Sequence, residues 1–430
     1  MPIPFPMDPF PSMRLLHTAD WHLGQTLHGF AREHEHARFL DWLLDRLDDR
    51  AVDALIVAGD VFDGQNPPIP ALGLFYRFLA KAKARCPALD IVVVAGNHDS
   101  GSRLEAPSPL LTEMGVRVIG APPVDQDGAF APEVLVIPLT GRDGTVAARC
   151  VAVPYLRPAD LPALSEEEIA TGADPLVEGV RRVYADAAAA GRRALRPGEA
   201  LILTGHCYMR DGALSELSER KILGGNQHAL PVDVFPEDAA YVALGHLHRA
   251  QAVGARESVR YSGSPLPLAV DEEPYPHQVV LADFTEGRLV GVEALRVPRF
   301  VAIRRVPGGG RFAAPEDALA ALAALELDEE LPREAWPYIE VSVELPAPRP
   351  ALREEVVAAL AGRPARLVKL ALRLTGSGET LAESVPLADL ADLAPEDVFL
   401  RLYRRHHEGE PDPALLAAFH ELVATVQEGA

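Results

Sequence analysis

The sequence predicts an α/β protein, and three features carry the prediction. Unbroken apolar runs such as Ala54-Leu-Ile-Val-Ala58 are the kind buried on both faces of a sheet covered by helices. Helical stripes alternate with them. Phe39, Leu40, Leu43, Leu44 and Leu47 share one face of Ala31–Arg50, away from most of Glu33, Glu35, Arg38, Asp45 and Arg46, and Leu72, Phe75, Leu79 and Ala82 share one face of Pro70–Arg85. The third feature is how the runs stop, each in Asp, Asn or His.

Taken in order, Leu15–Ala19 ends in Asp20-Trp21-His22, and Ala54–Ala58 ends in Gly59-Asp60 with Asp63 just beyond. Ile91–Ala95 ends in Gly96-Asn97-His98-Asp99, Leu201–Thr204 in Gly205-His206, and Tyr241–Leu244 in Gly245-His246-Leu247-His248. A single carboxylate after Gly is ordinarily a turn cap. Repeated strand-end clusters at carboxyl ends of neighbouring strands converge on one crevice, where open α/β sheets hold their sites. The glycines suit sharp turns and close backbone approach.

Asp20, His22, Asp60, Asn97, His206, His246 and His248 supply the donors that two metal ions sharing one carboxylate require. Two ions ~3.5–4 Å apart clamp the attacking and leaving oxygens of a displacement at phosphorus. The mixed oxygen and nitrogen set suits Mn²⁺, Fe or Zn²⁺ better than Mg²⁺. Asn97 and His98 are adjacent on a loop and do not both face one metal, so His98 is expected to project toward substrate as a hydrogen-bond or proton donor. Asp99 is expected to orient it; the alternative is that His98 stabilises the loop. Asp63 either contacts the site or caps a turn. Cys207, beside His206, is a conceivable thiolate ligand, though softer than the rest of the set.

From Ala121 to Tyr155 short β-like runs appear, Val134–Ile137 and Val151–Val153, followed by a helical region around Pro175–Ala190. Ser258–Ser262 and His277–Asp283 read as antiparallel strands closing a domain that covers 13–296. Pro307-Gly-Gly-Gly310 marks a joint near the start of a small α+β unit, 297–374, with helices from about Ala314 and Ala351 and strands at Tyr338–Val343 and Arg366–Arg373. That unit shows no convergent polar cluster. The remainder, 375–430, reads as a polar linker from Thr375 to Ser384 and two helices, Pro395–His407 and Pro413–Gln427. Asp412-Pro413 starts the second, and Leu415, Phe419, Leu422, Val423 and Val426 stripe it. These helices either pack on the body or lie in a partner's groove. The first dozen residues, rich in Pro and lacking a basic region, read as a disordered extension or a start placed before Met13.

A chain of 430 residues holds two or three domains. No apolar run approaches the roughly 18 residues that span a bilayer. Scattered cysteines at 86, 150 and 207 and the want of an export signal favour a reduced, cytoplasmic setting. The net charge of −21 argues against broad nucleic-acid binding by this chain alone.

Asp20-x-His22, Gly59-Asp60-x-x-Asp63, Gly96-Asn97-His98-Asp99, Gly205-His206 and Gly245-His246-x-His248 resemble, in order, the motifs of calcineurin-like metallophosphoesterases. His17–Gly24, Ala243–Arg249 and Arg260–Pro265 are similar to the SbcD family, nuclease subunits of bacterial SbcCD complexes, and the resemblance extends through Pro395–Phe399. It implies a metallophosphoesterase β-sandwich flanked by helices, a DNA-capping domain at 297–374, and tail helices that dock on an SbcC-type ATPase. One ion would take Asp20, His22, Asp60 and His248, the other Asp60, Asn97, His206 and His246, with His98 catalytic. Asp63, Arg103 and Arg249 would face substrate. Relatives in archaea carry His at the position of Asp63. The family uses Mn²⁺, acts as a 3′→5′ double-strand exonuclease and a hairpin or single-strand endonuclease in DNA repair and recombination, and works on DNA ends and hairpins as a homodimer within a heterotetramer at the cytoplasmic nucleoid. Shared DNA binding with an ATP-driven partner would ease the charge difficulty. The competing readings are a small-substrate phosphoesterase on the same fold and a non-catalytic scaffold; the full set of ligand residue types speaks against the scaffold.

Overall fold

The computed structural model describes residues 12–165, 174–210 and 229–375, together with Phe399, Tyr403, Pro411, Leu415 and Phe419. The chain opens with β1 (Ser12–Thr18), a small hairpin of β2 (Thr26–Leu27) and β3 (Phe30–Ala31), and helix α1 (Glu33–Asp49). Next come β4 (Ala54–Ala58), α2 (Ile69–Arg85), β5 (Asp90–Val94), short α3 (Gly101–Glu105) and α4 (Ser108–Glu113), and β6 (Val116–Ile119). Then follow β7 (Val136–Thr140), β8 (Val146–Ala152), α5 (Pro175–Ala194), β9 (Ala200–His206) and β10 (Tyr241–Gly245). Strands β11 (Gln251–Val253), β12 (Arg256–Tyr261), β13 (Gln278–Thr285) and β14 (Arg288–Arg296) complete the larger unit.

These strands form two six-stranded sheets, ordered β14-β13-β1-β4-β5-β6 and β11-β12-β10-β9-β8-β7. Strand alternation decides which layer each side chain enters. Leu15, Ile56, Val92, Ile202 and Ala243 point between the sheets into a shared apolar layer. Their neighbours Leu16, Leu55 and Val93 meet α1 and α2 on the far side of the first sheet. Leu201, Leu203 and Val242 meet α5 on the far side of the second. Every site strand is therefore buried on both faces, which is why each reads as a continuous apolar run. The result is a β-sandwich with helices outside it. Trp21 is fully buried, with Phe39, Phe75 and Phe78 edge-on to it at 5.3–6.3 Å between centroids. Such pairs add about 0.5–1.5 kcal/mol each beyond burial.

Helix starts follow their sequence cues. Asp174 caps α5, its carboxylate accepting from the Leu176 and Val177 amides at 3.0 and 3.4 Å, with Pro175 at the first helical position. The strands read as antiparallel at 258–262 and 277–283 fall in different sheets: β12 pairs antiparallel with β11 and parallel with β10 in the second, whereas β13 pairs antiparallel with β1 and β14 in the first. One expectation requires correction. Glu35, read as part of the solvent face of α1, is buried because Arg32 pairs with it.

The smaller unit contains β15 (Ile303–Val306), α6 (Pro315–Ala323), β16 (Tyr338–Leu345), α7 (Leu352–Leu360) and β17 (Arg366–Leu374). Its strands all run parallel in the order β15-β16-β17, so the helices are crossovers, a finer description than the α+β mixture suggested by sequence. Val306, Ile339, Val341, Leu352 and Val356 belong to its own core. Leu27, Val270, Val301, Ile303, Tyr338 and Val368 form a second apolar cluster joining it to the larger unit. In the tail, Phe399, Tyr403, Leu415 and Phe419 are helical, and Phe399 stacks on Phe419 with centroids 4.3 Å apart. The expected extension before β1 and most of the linker and tail lie outside the described residues.

Candidate metal centre

All the expected clusters meet at one end of the sandwich. β1, β4 and β5 deliver Asp20, His22, Asp60, Asn97 and His98 from the first sheet, and β9 and β10 deliver His206, His246 and His248 from the second. The backbone turns at the ligands themselves. Asp20, His22, Asp60 and His246 all have positive φ (55°, 45°, 48° and 109°), a conformation that side chains other than Gly rarely adopt and that concentrates at functional sites. Gly96 permits close approach of the Asn97 loop to Asp60, since a Cβ there would fall on the Asp60 carboxylate and amide.

Asp60 Oδ2 lies between histidines from the two sheets, 3.5 Å from His22 Nε2 and 3.3 Å from His206 Nε2. Its Oδ1 accepts from the His98 amide at 2.9 Å. His206 Nδ1 donates to the Ala58 carbonyl at 2.9 Å, which puts its lone pair on Nε2, facing Asn97 Oδ1 at 2.9 Å as well as Asp60. His246 Nδ1 is 3.0 Å from the same Asn97 oxygen. His22 Nδ1 donates to Asp63 Oδ1 at 3.2 Å, and its buried Nε2 has no hydrogen-bond partner. His248 Nδ1 donates to the buried Glu272 carboxylate at 2.8 Å, leaving the lone pair on Nε2. Ring nitrogens and oxygen acceptors thus face one another in a buried site, an arrangement that repels unless positive charge, a proton or a metal cation, sits between them.

The electrostatics show how strongly the site draws positive charge. Burial works to raise the Asp60 carboxyl pKa, yet the His206 and His22 imidazoles hold it well below the usual range. Burial works to lower His206, but Asp60 lifts it to about 9. Burial, reinforced by His206, depresses His246 to about 3. Asp20, His22 and His248 have ligand atoms close enough to meet one ion, as do Asp20, Asp60 and His206. Asp20 belongs to both groups, Asp60 Oδ2 reaches His22 of the first as well as His206 of the second, and Asn97 lies beside His206 and His246, so the residues fit two divalent cations sharing a carboxylate. His22, Asp63 and His98 form a further group on the exposed side.

Two residues take roles other than those expected. Asp99 does not orient His98; fully buried, it accepts from the backbone amides of Val61, Phe62 and Gly96 at 3.1, 2.9 and 2.9 Å and ties the Asp60 loop to the Asn97 loop. The group on His98 is instead the Asp63 carbonyl, 2.8 Å from Nδ1. Asp63 itself, expected as a substrate contact, serves two site histidines, one through its carboxylate and one through its backbone. Cys207 is not a ligand: its sulfur contacts Met209 at 3.8 Å, and burial pushes the thiol up to about 12. Arg103 is exposed on α3 and makes no hydrogen bond or ion pair among the described residues. Arg249 is exposed beside His248 and lies over the Tyr275 ring, 5.9 Å from its centroid.

Sequence reasoning missed Glu272, though Asp271-Glu-Glu273 offered an acidic cluster. It also missed Arg157, which donates to the Asp99 carbonyl at 3.2 Å, and the rings of Tyr155 and Tyr208, 6.2 and 6.4 Å from His206 and His246.

The calcineurin-like phosphoesterase family matches residues 13–250, which include every expected metal ligand. The class is thereby fixed as a metallophosphoesterase. A family described as the type 5 capsule protein repressor C-terminal domain matches residues 299–407. The SbcD subunit of the nuclease SbcCD from Rhodobacter capsulatus is 42% identical over 391 residues, covering 90% of this chain and 93% of that protein. Its counterpart from Escherichia coli K12 is 33% identical over 398 residues, covering 90% and 92%. The one from Bacillus subtilis 168 is 38% identical over 284 residues, covering 64% and 67%. This chain belongs to the SbcD family of SbcCD nuclease subunits.

Proposed function

We propose that this chain is the nuclease subunit of an SbcCD-type complex, a metal-dependent phosphodiester hydrolase acting on DNA in repair and recombination. The observation that carries the reading is Asp60 Oδ2 set between His22 and His206, ligand types from two sheets meeting at one carboxylate, in a chain of this family. When bound, two divalent ions would supply polarisation of the phosphoryl oxygens and activation of water. Mn²⁺ is the proposed metal, in keeping with the mixed nitrogen and oxygen donors. Asp20, His22, Asp60 and His248 would hold one ion; Asp60, Asn97, His206 and His246 would hold the other.

His98 is the group that moves a proton. The Asp63 carbonyl accepts from Nδ1–H in either charge state, so the ring keeps one orientation. As imidazolium, its Nε2–H donates to a phosphoryl or leaving oxygen. Asp63 and Glu272 orient His22 and His248, and Asp99 fixes the spacing of the loops. The substrate is double-stranded DNA ends and hairpins, cut as a 3′→5′ exonuclease and an endonuclease. The smaller unit caps that DNA, and the tail helices dock on an SbcC-type ATPase within a heterotetramer built on a homodimer, at the cytoplasmic nucleoid. No helix among the described residues is long and apolar enough to cross a membrane.

The test is Mn²⁺-dependent degradation of end-labelled duplex DNA by wild type and His98→Ala, with and without the ATPase. Loss of cleavage in the variant with metal content unchanged supports the reading. Failure of wild type to cut DNA under any of these conditions, with hydrolysis of a simple aryl phosphate retained, replaces it with the small-substrate phosphoesterase.

A further inference from the structure

A polar chain, buried except at the half-buried Gln25, runs from the smaller unit to the metal centre, and each of its links is a hydrogen bond. At its start, the Tyr338 hydroxyl on β16 donates to Glu35 Oε2 at 2.9 Å. Arg32 grips the same carboxylate through Nε and Nη2, at 2.8 and 3.0 Å. Its remaining arm, Nη1, donates to Gln25 Oε1 at 2.6 Å and to the Pro267 carbonyl at 2.7 Å. Gln25 Nε2 in turn donates to the Leu268 carbonyl at 2.7 Å. The Leu268 amide donates to Glu272 Oε2 at 2.7 Å, and Glu272 Oε1 accepts from His248 Nδ1 at 2.8 Å. A second strand of the smaller unit reaches the same turn, because Arg305 Nη2 on β15 donates to the Val270 carbonyl at 2.7 Å.

Arg32, Glu35, Glu272, His248 and Tyr338 are all at most 3% exposed. Burying an Arg–Glu pair and a further carboxylate is costly, and well-packed apolar groups would stabilise the fold as well. A role in placing a ligand accounts for the arrangement. Carboxylate partners of ligating histidines fix the tautomer and raise basicity. Both Glu272 carboxylate oxygens are engaged, one by the Leu268 amide and one by His248, which holds the carboxylate in place.

We infer that Glu272 is a positioning residue for His248, and that Tyr338 of the smaller unit acts on the same ligand through Glu35, Arg32 and the Pro267–Glu272 turn. The inference rests on the metal reading above and adds that the smaller unit sets the affinity of one ion.

The experiment is calorimetric titration of Mn²⁺ into the full chain, with electron paramagnetic resonance to count the ions and thermal melts alongside. In Glu272→Gln, which keeps an acceptor oxygen but not its charge, affinity falls roughly 10- to 100-fold at one ion and is unmoved at the other. In Tyr338→Phe it falls roughly 2- to 30-fold at that same ion. Unchanged affinity, or equal weakening of both ions, in Glu272→Gln overturns the inference. A lowered melting temperature with intact affinity in Tyr338→Phe overturns the link to the smaller unit. Failure of wild type to take up any ion overturns the metal reading itself, a result distinct from either.

Discussion

His98 Nδ1 lies 2.8 Å from the carbonyl oxygen of Asp63, so the ring expected to move a proton is held by backbone, an acceptor that neither titrates nor rotates. The Asp63 side chain is spent elsewhere, on His22 Nδ1 at 3.2 Å.

Those two contacts separate in a mutant. Asp63→Ala keeps the carbonyl and removes the carboxylate. We expect Mn²⁺ affinity to fall by roughly tenfold while turnover at saturating Mn²⁺ stays near wild type. Reduced turnover at saturation with unaltered affinity, seen in single-turnover cleavage, would instead place the carboxylate on substrate.

Asp99 makes a different demand. Its removal orphans the buried amides of Val61, Phe62 and Gly96. Asp99→Ala is expected to cost about 3 kcal/mol or more, read as a shift in the urea midpoint. An unchanged midpoint with lost cleavage would return Asp99 to the chemistry.

Glycine is required at 96 but not at the nearby 64, where a Cβ meets nothing within 4 Å. Gly96→Ala should abolish tight metal binding, because the methyl group and the Asp60 carboxylate claim one space. Gly64→Ala should bind two ions as wild type does; similar behaviour of the two variants in the calorimeter would refute the close-approach argument.

His17, fully buried, has its ring nitrogens 3.1 Å from the Tyr241 hydroxyl and from the Leu244 carbonyl. Burial, with the Arg260 charge assisting, depresses its pKa to about 3. The unfolded chain takes up the proton near pH 6.5, whereas the folded one refuses it. The stabilisation is therefore complete above about 6.5 and is lost as pH falls toward 3, by at most ~1.4 kcal/mol per pH unit. Urea unfolding at pH 7.5 and 5.0 should show a smaller loss for His17→Gln than for wild type. Parallel losses would clear His17 of any part in it.

Much of the centre was legible because burial on both faces makes a strand read as an apolar run, and a run that stops in Asp or His advertises its end. The ligand types at Asp20, Asp60, Asn97, His206 and His246 are visible on those terms. Their division between two sheets was not, since pairing of β12 with β10 and of β13 with β1 depends on partners remote in sequence. Asp99 misled for a related reason: adjacency to His98 suggested a partner, but its side chain points into the loop, where backbone donors wait. Glu272 and the Arg32–Glu35 pair stayed hidden because nothing local distinguishes a buried charge from a solvated one until its partners are known.

β1 carries Asp20 and His22 past its end and lies between β4 and β13, pairing Leu16 with Leu55 on one side and with Leu281 on the other. The order in which a ribosome delivers these strands then matters. β4 emerges soon after β1, but β13 arrives only when most of the larger unit has been made. Until then the ligand-bearing strand has an open hydrogen-bonding edge, the kind that recruits stray strands. A chain cut short before β13 would keep every proposed ligand and still expose that edge, so it is the arrival of β13, well after the last ligand, that closes the sheet beside the centre.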